Sequence, residues 1–151
     1  MGVHGRPVII LLVEDDQGDQ ELTRRAMMHG KIKNDLHIVE NGEEALDYLF
    51  GRGRYRDREK YPLPDLILLD LNIPRLDGKQ VLKAVQADPV LRRIPVVVLT
   101  TSYQEADIQQ AYESGAKSYI VKPVDIDQFT RVVQAIEEYW FQIVVLPPVP
   151  R

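Results

Sequence analysis

Five short apolar runs, each followed by a segment of helix length, constrain this chain more than any other feature. Three of them, Val8 to Val13, Leu66 to Leu69 and Val96 to Leu99, are continuous and bounded by proline or acidic residues, as strands buried on both faces of a parallel sheet should be. Two weaker runs, Leu36 to Val39 and Ser118 to Val121, complete a sheet. Helices are expected over Gly18 to His29, Glu43 to Phe50, Lys79 to Ala87, Glu105 to Ser114 and Ile126 to Phe141. Asn41 with Glu44 resembles a capping box, Gly115 is a helix stop, and the last helix carries an apolar stripe at Phe129, Val132, Val133, Ile136 and Trp140. Alternation of this kind calls for an α/β fold, a doubly wound (βα)5 sandwich around a five-stranded parallel sheet.

Bulk properties narrow the function. A length of 151 residues fits one ordinary domain, expected over 1–141, followed by an extension over 142–151. A net charge of −4 and a single basic cluster diluted by acids argue against a nucleic-acid binder. Without cysteine there is no disulfide, thiolate site or redox switch. Val8 to Val13 is too short for a signal peptide or a membrane span, so no membrane association and a cytoplasmic location are expected.

The strand ends carry the chemistry. Glu14 and Asp15 follow the first run, Asp70 the third, Thr100 and Thr101 the fourth, and Lys122 with Pro123 the fifth. In a parallel sheet these ends share one edge, where open α/β folds place their ligands. Two carboxylates at about 4 Å repel by about 4 kcal/mol at an effective dielectric near 20, so the group needs a metal, a lysine or protons. Hard oxygen ligands select Mg²⁺ or a similar cation such as Mn²⁺, which combines one or two carboxylates with water and phosphate oxygens. A carboxylate can attack a phosphoryl group when positive charge offsets the repulsion. Asp70 is placed to do so, with Lys122 as a second cation and the Thr100 hydroxyl as a hydrogen-bond donor.

Leu-Val-Glu-Asp at 12 to 15, Asp-Leu-Ile-Leu-Leu-Asp-Leu-Asn-Ile-Pro at 65 to 74 with Asp77-Gly78, Pro95 to Thr100, and Ser114-Gly115-Ala116 leading to Tyr119-Ile120-Val121-Lys122-Pro123 together resemble the receiver domains of two-component response regulators, flavodoxin-like and similar to the chemotaxis regulators. The resemblance spans Val8 to Tyr139. It implies that Asp70 is phosphorylated from a histidine kinase partner and that Asp15 and Asp70 hold Mg²⁺, with Asn72 contributing its backbone carbonyl and Glu14 acting mainly through water. It also implies a Thr100 and Tyr119 switch pair, a Lys122 contact to the phosphoryl group and a cis bond between Lys122 and Pro123. Such a protein is a phosphoacceptor switch rather than an enzyme, although it assists its own phosphotransfer and dephosphorylation.

Two segments exceed the minimal plan. Gly51 to Pro64 interleaves Arg52, Arg54, Arg56, Arg58 and Lys60 with Tyr55, Asp57 and Glu59, and reads as a mobile, solvated connection. Beyond the last helix, Tyr139, Trp140, Phe141, Ile143, Val144, Val145 and Leu146 form an apolar arm, expected to pair two copies into a homodimer through the last helix. No output domain is expected after it. Insert and arm further resemble the small stand-alone receivers paired with phytochrome histidine kinases. The enzymatic alternative, an aspartate-nucleophile phosphatase, would want a second acid two residues after the nucleophile, where this chain has Asn72.

Overall fold

The computed structural model describes residues 6–143, with the side chains of Gln142 and Ile143 outside the description. Strands β1 (Val8–Val13), β2 (Asn34–Val39), β3 (Leu66–Leu69), β4 (Val96–Thr100) and β5 (Ser118–Val121) alternate with helices α1 (Gln17–Met28), α2 (Gly42–Phe50), α3 (Gly78–Ala87), α4 (Glu105–Glu113) and α5 (Ile126–Glu138). The five strands form one parallel sheet in the order β2-β1-β3-β4-β5, the expected doubly wound arrangement.

Side chains of the inner strands alternate between two apolar layers. Leu11, Val13, Ile67, Leu69 and Val98 face α2 and α3 through Tyr48, Leu49, Val81, Leu82 and Val85. Ile10, Leu12, Leu68, Val97 and Leu99 face α1 and α5 through Ala26, Met27, Phe129, Val133 and Ile136. Burial on both faces explains why β1, β3 and β4 read as unbroken aliphatic runs, whereas the edge strands β2 and β5 are partly exposed and more polar.

Helix starts follow local chemistry. Asn41 caps α2 by accepting from the Glu44 amide at 2.8 Å, while the Glu44 carboxylate reaches the Glu40 amide instead of closing the box. The reciprocal box belongs to α3, between Asp77 and Gln80. Gly115 takes φ 99 after α4, a conformation in which a side chain would be strained.

Three expectations are corrected or bounded. The basic insert is built into the molecule rather than solvated throughout. Tyr55 is buried, its ring packs tilted against Tyr48 and edge-on to Tyr61 at centroid distances of 5.2 and 4.9 Å, and the Arg58 guanidinium donates to the carbonyls of Tyr48, Leu49 and Tyr61 at 2.7, 2.7 and 3.0 Å. Aromatic burial and a guanidinium covering the end of α2 outweigh the solvation that alternating charges suggest. The bond between Lys122 and Pro123 is trans, since no cis peptide occurs among the described residues. Trans is favoured before proline by about 0.5–1 kcal/mol, and β5 pairing already carries the Lys122 side chain to its partners without an inverted bond. After Glu138 the backbone continues as a π-helical turn over Tyr139–Ile143, with Trp140 and Phe141 packed against the α1/α5 layer and Tyr139 half exposed. The remaining arm residues, Val144, Val145 and Leu146, lie outside the described residues.

Candidate phosphoacceptor site

Parallel pairing assembles the site. Val13 is registered with Leu69, and the Asp70 amide donates to the Val13 carbonyl at 3.1 Å, so Glu14 and Asp70 leave adjacent strands side by side. Thr100 is registered with Val121, and the Lys122 amide donates to the Thr100 carbonyl at 2.7 Å. Glu14, Asp70, Thr100 and Lys122 are buried, whereas Asp15 is exposed.

Asp70 is held at both oxygens. Thr100 Oγ1 donates to Oδ1 at 2.7 Å, the Asn72 amide to the same oxygen at 3.0 Å, and Lys122 Nζ to Oδ2 at 2.9 Å. Lys122 also donates to Glu14 Oε1, and to Asp19 Oδ2 at 2.8 Å. One ammonium therefore serves three carboxylates.

Burial pushes Glu14 up to about 7, opposed by its contact with Lys122 and reinforced by the nearby Asp70 charge. For Asp70 burial also acts upwards, but the Asn72 amide, Lys122 and the Thr100 hydroxyl together hold it below the ordinary aspartate range. Burial opposes the Lys122 charge, yet its bonds to Asp19, Glu14 and Asp70 hold it above the ordinary lysine range. These contacts favour the ionised form of Asp70, and the pocket gathers more carboxylates than cations.

The residues fit a further cation. Glu14, Asp15 and Asp70 each bring a carboxylate oxygen within 4.8 Å of the others, a set of hard oxygens suited to a divalent ion of the Mg²⁺ class.

The loop after β3 is shaped by close packing. A Cβ on Gly78 would lie 2.5 Å from the Asp70 carbonyl oxygen and 2.6 Å from Leu71 Cα, so α3 can start against the strand end only at glycine. Arg75 adopts φ 69, an uncommon conformation for a side chain of its size, and pairs with Glu43 at 2.9 Å.

Tyr119 stands apart from the charge cluster. Half-buried, it donates its hydroxyl to the Ser102 carbonyl at 2.8 Å rather than to water. Ser102 Oγ donates to Asp107, which also pairs with Lys79 and so ties α3 to α4 beside this loop. Sequence reading missed Asp19 and the Lys79, Asp107 and Ser102 set. Asp19 had a signal: it lies one helical turn beyond Asp15, on a helix that starts at the acidic strand end. The Lys79 set had none, because its members meet only through tertiary packing.

Residues 10–134 match the response regulator receiver domain family. The response regulator Rcp1 of Synechocystis sp. is 41% identical over 141 residues, covering 93% of this chain and 94% of that protein. Among solved structures, the phosphorylated cyanobacterial phytochrome response regulator RcpA gives a TM-score of 0.90 at 40% identity, covering 95% of this chain and 100% of that one. The Mn²⁺-bound form of Rcp1 gives 0.87 at 41% identity, covering 94% and 100%. The bacteriophytochrome response regulator RtBRR gives 0.75 at 43% identity, covering 96% and 85%.

Proposed function

Because the chain belongs to the response regulator receiver domain family, we propose that it is a phosphorylation switch in which Asp70 accepts the phosphoryl group from a histidine kinase, of phytochrome type by likeness to RcpA and RtBRR. The observation that carries this reading is the bracketing of one buried carboxylate by the Lys122 ammonium at 2.9 Å and the Thr100 hydroxyl at 2.7 Å. An oxygen of Asp70 forms the new bond to phosphorus as the donor's bond to it breaks. Lys122 and Thr100 then stabilise the phosphoryl oxygens by charge and hydrogen bonding. Glu14, Asp15 and Asp70, with the Asn72 carbonyl, would hold Mg²⁺ or Mn²⁺, which when bound supplies charge neutralisation for the incoming phosphate.

Thr100 and Tyr119 serve as the switch pair in this reading. Movement of Thr100 towards a phosphoryl oxygen alters the space beside the β4–α4 loop, whose Ser102 carbonyl holds Tyr119. Phosphorylation redistributes two states only through their difference in affinity for it. The phosphatase alternative is not favoured, because Asn72 offers Asp70 its amide and no acid. Pairing of two copies through α5 and the arm belongs to the same proposal, and light scattering of a chain ending at Gln142 should then show a smaller assembly.

The test is incubation with a small acyl phosphate, with and without Mg²⁺, followed by intact mass. One metal-dependent phosphoryl adduct is expected on the natural chain and none on Asp70→Asn. An equal adduct on the variant, or none on either, would reject Asp70 as the acceptor.

A further inference from the structure

Lys122 has three donors, and the structure spends them unevenly. Two go to Glu14 and Asp70, which also belong to the triad of oxygens suited to a divalent ion. The third goes to Asp19 Oδ2 at 2.8 Å, and Asp19 is outside that triad. A divalent ion and the ammonium thus compete for the same two carboxylates, while one carboxylate is reserved for the lysine.

Asp19 is held where it can do this. It lies in the first turn of α1, its amide donates to the Asp16 side chain at 2.8 Å, and its carboxylate is partly open to solvent, unlike Glu14 and Asp70. An ammonium leaving Glu14 and Asp70 without such a partner would face a second cation across a buried pocket, at a cost set by their mutual repulsion. With Asp19 it keeps a charged acceptor while staying beside the site.

We propose that Asp19 is a positioning residue, a holding site for the Lys122 ammonium that lets a divalent cation take Glu14, Asp15 and Asp70 while the lysine stays within reach of a phosphoryl group. The proposal rests on the reading of this pocket as a metal-assisted phosphoacceptor site. Asp19 touches neither the metal nor the reacting oxygen and acts through Lys122.

The experiment titrates the unphosphorylated full chain with Mn²⁺ alone and follows free Mn²⁺ by electron paramagnetic resonance, so no phosphorylation readout enters. Asp19→Asn should weaken Mn²⁺ binding by roughly five- to twentyfold, a charge-assisted hydrogen bond partly replaced by water. Asp19→Glu should recover most of it. The loss should largely vanish in a Lys122→Met background, because there is no ammonium left to hold.

An equal loss with and without Lys122 would mean that Asp19 acts only as a distant negative charge, and would overturn the proposal. Should Lys122→Met not fold, Lys122→Gln takes its place as a polar side chain without an ammonium, with the same two outcomes. Unchanged affinity in Asp19→Asn overturns the Asp19 role alone. Absence of Mn²⁺ binding by the natural chain overturns the metal reading with it.

Discussion

Thr100 Oγ1 and Asp70 Oδ1, thirty positions apart in sequence, are joined by a buried 2.7 Å hydrogen bond. Thr100→Val keeps the shape and removes the donor, so it should cost about 1–2 kcal/mol in urea unfolding. The phosphoryl adduct on Asp70 should still form, but the NMR shift of the Tyr119 amide, which donates to the Tyr112 hydroxyl, should no longer follow it. Thr100→Ser should retain the response. A full Tyr119 response in the valine variant would remove Thr100 from the switch.

Gly78 packs its α-carbon against the Asp70 carbonyl at the start of α3. Its backbone is not left-handed, so the cost of Gly78→Ala is steric. Contacts of 2.5 and 2.6 Å to backbone atoms require the loop to move, and we expect a loss of about 2 kcal/mol or more in chemical denaturation, together with slower phosphorylation of Asp70. A variant as stable and as reactive as the natural chain would show that α3 is free to shift away.

Arg58 covers three carbonyl oxygens with one planar fork. Arg58→Lys keeps the charge but cannot reproduce that geometry, and should lower stability by about 1–3 kcal/mol. If the lysine variant unfolds at the same urea concentration, the insert's order depends on its tyrosines alone.

Glu137, on α5 at the opposite end of the sheet, is buried and accepts from Asn34 Nδ2 at 3.0 Å. Gly30 makes room for it, since a Cβ there would meet the carboxylate at 2.2 Å. Burial pushes this acid up to about 7, opposed by the Ile32 backbone and Asn34. With its folded pKa above the unfolded one, the folded state binds the extra proton between roughly pH 4.5 and 7, and stability falls as pH rises through that window. The contribution is up to about 3 kcal/mol, at 1.36 kcal/mol for each pKa unit. Glu137→Gln should flatten the slope measured by urea unfolding at several pH values; an unchanged slope would assign the dependence to Glu14, the other raised acid.

Much of the site was legible because strand ends are local features. Glu14, Asp15, Asp70, Thr100 and Lys122 follow directly on apolar runs, and once those runs are parallel neighbours their ends must share an edge. The insert was misread for the opposite reason: composition reports alternating charge and aromatic residues, but not that Tyr55 finds Tyr48 and Tyr61, or that Arg58 finds the end of α2.

By itself the sequence determined the (βα)5 alternation and which side chains stand at strand ends, since these depend on periods of two and 3.6 residues and on near neighbours in the chain. Tertiary structure alone decided the order β2-β1-β3-β4-β5, the sharing of one ammonium among Glu14, Asp19 and Asp70, and the inward Tyr119 hydroxyl. Lys122 and Glu14 are separated by 108 positions, and no local preference encodes their meeting. It follows from strand register, which is set by how two apolar layers pack on one sheet.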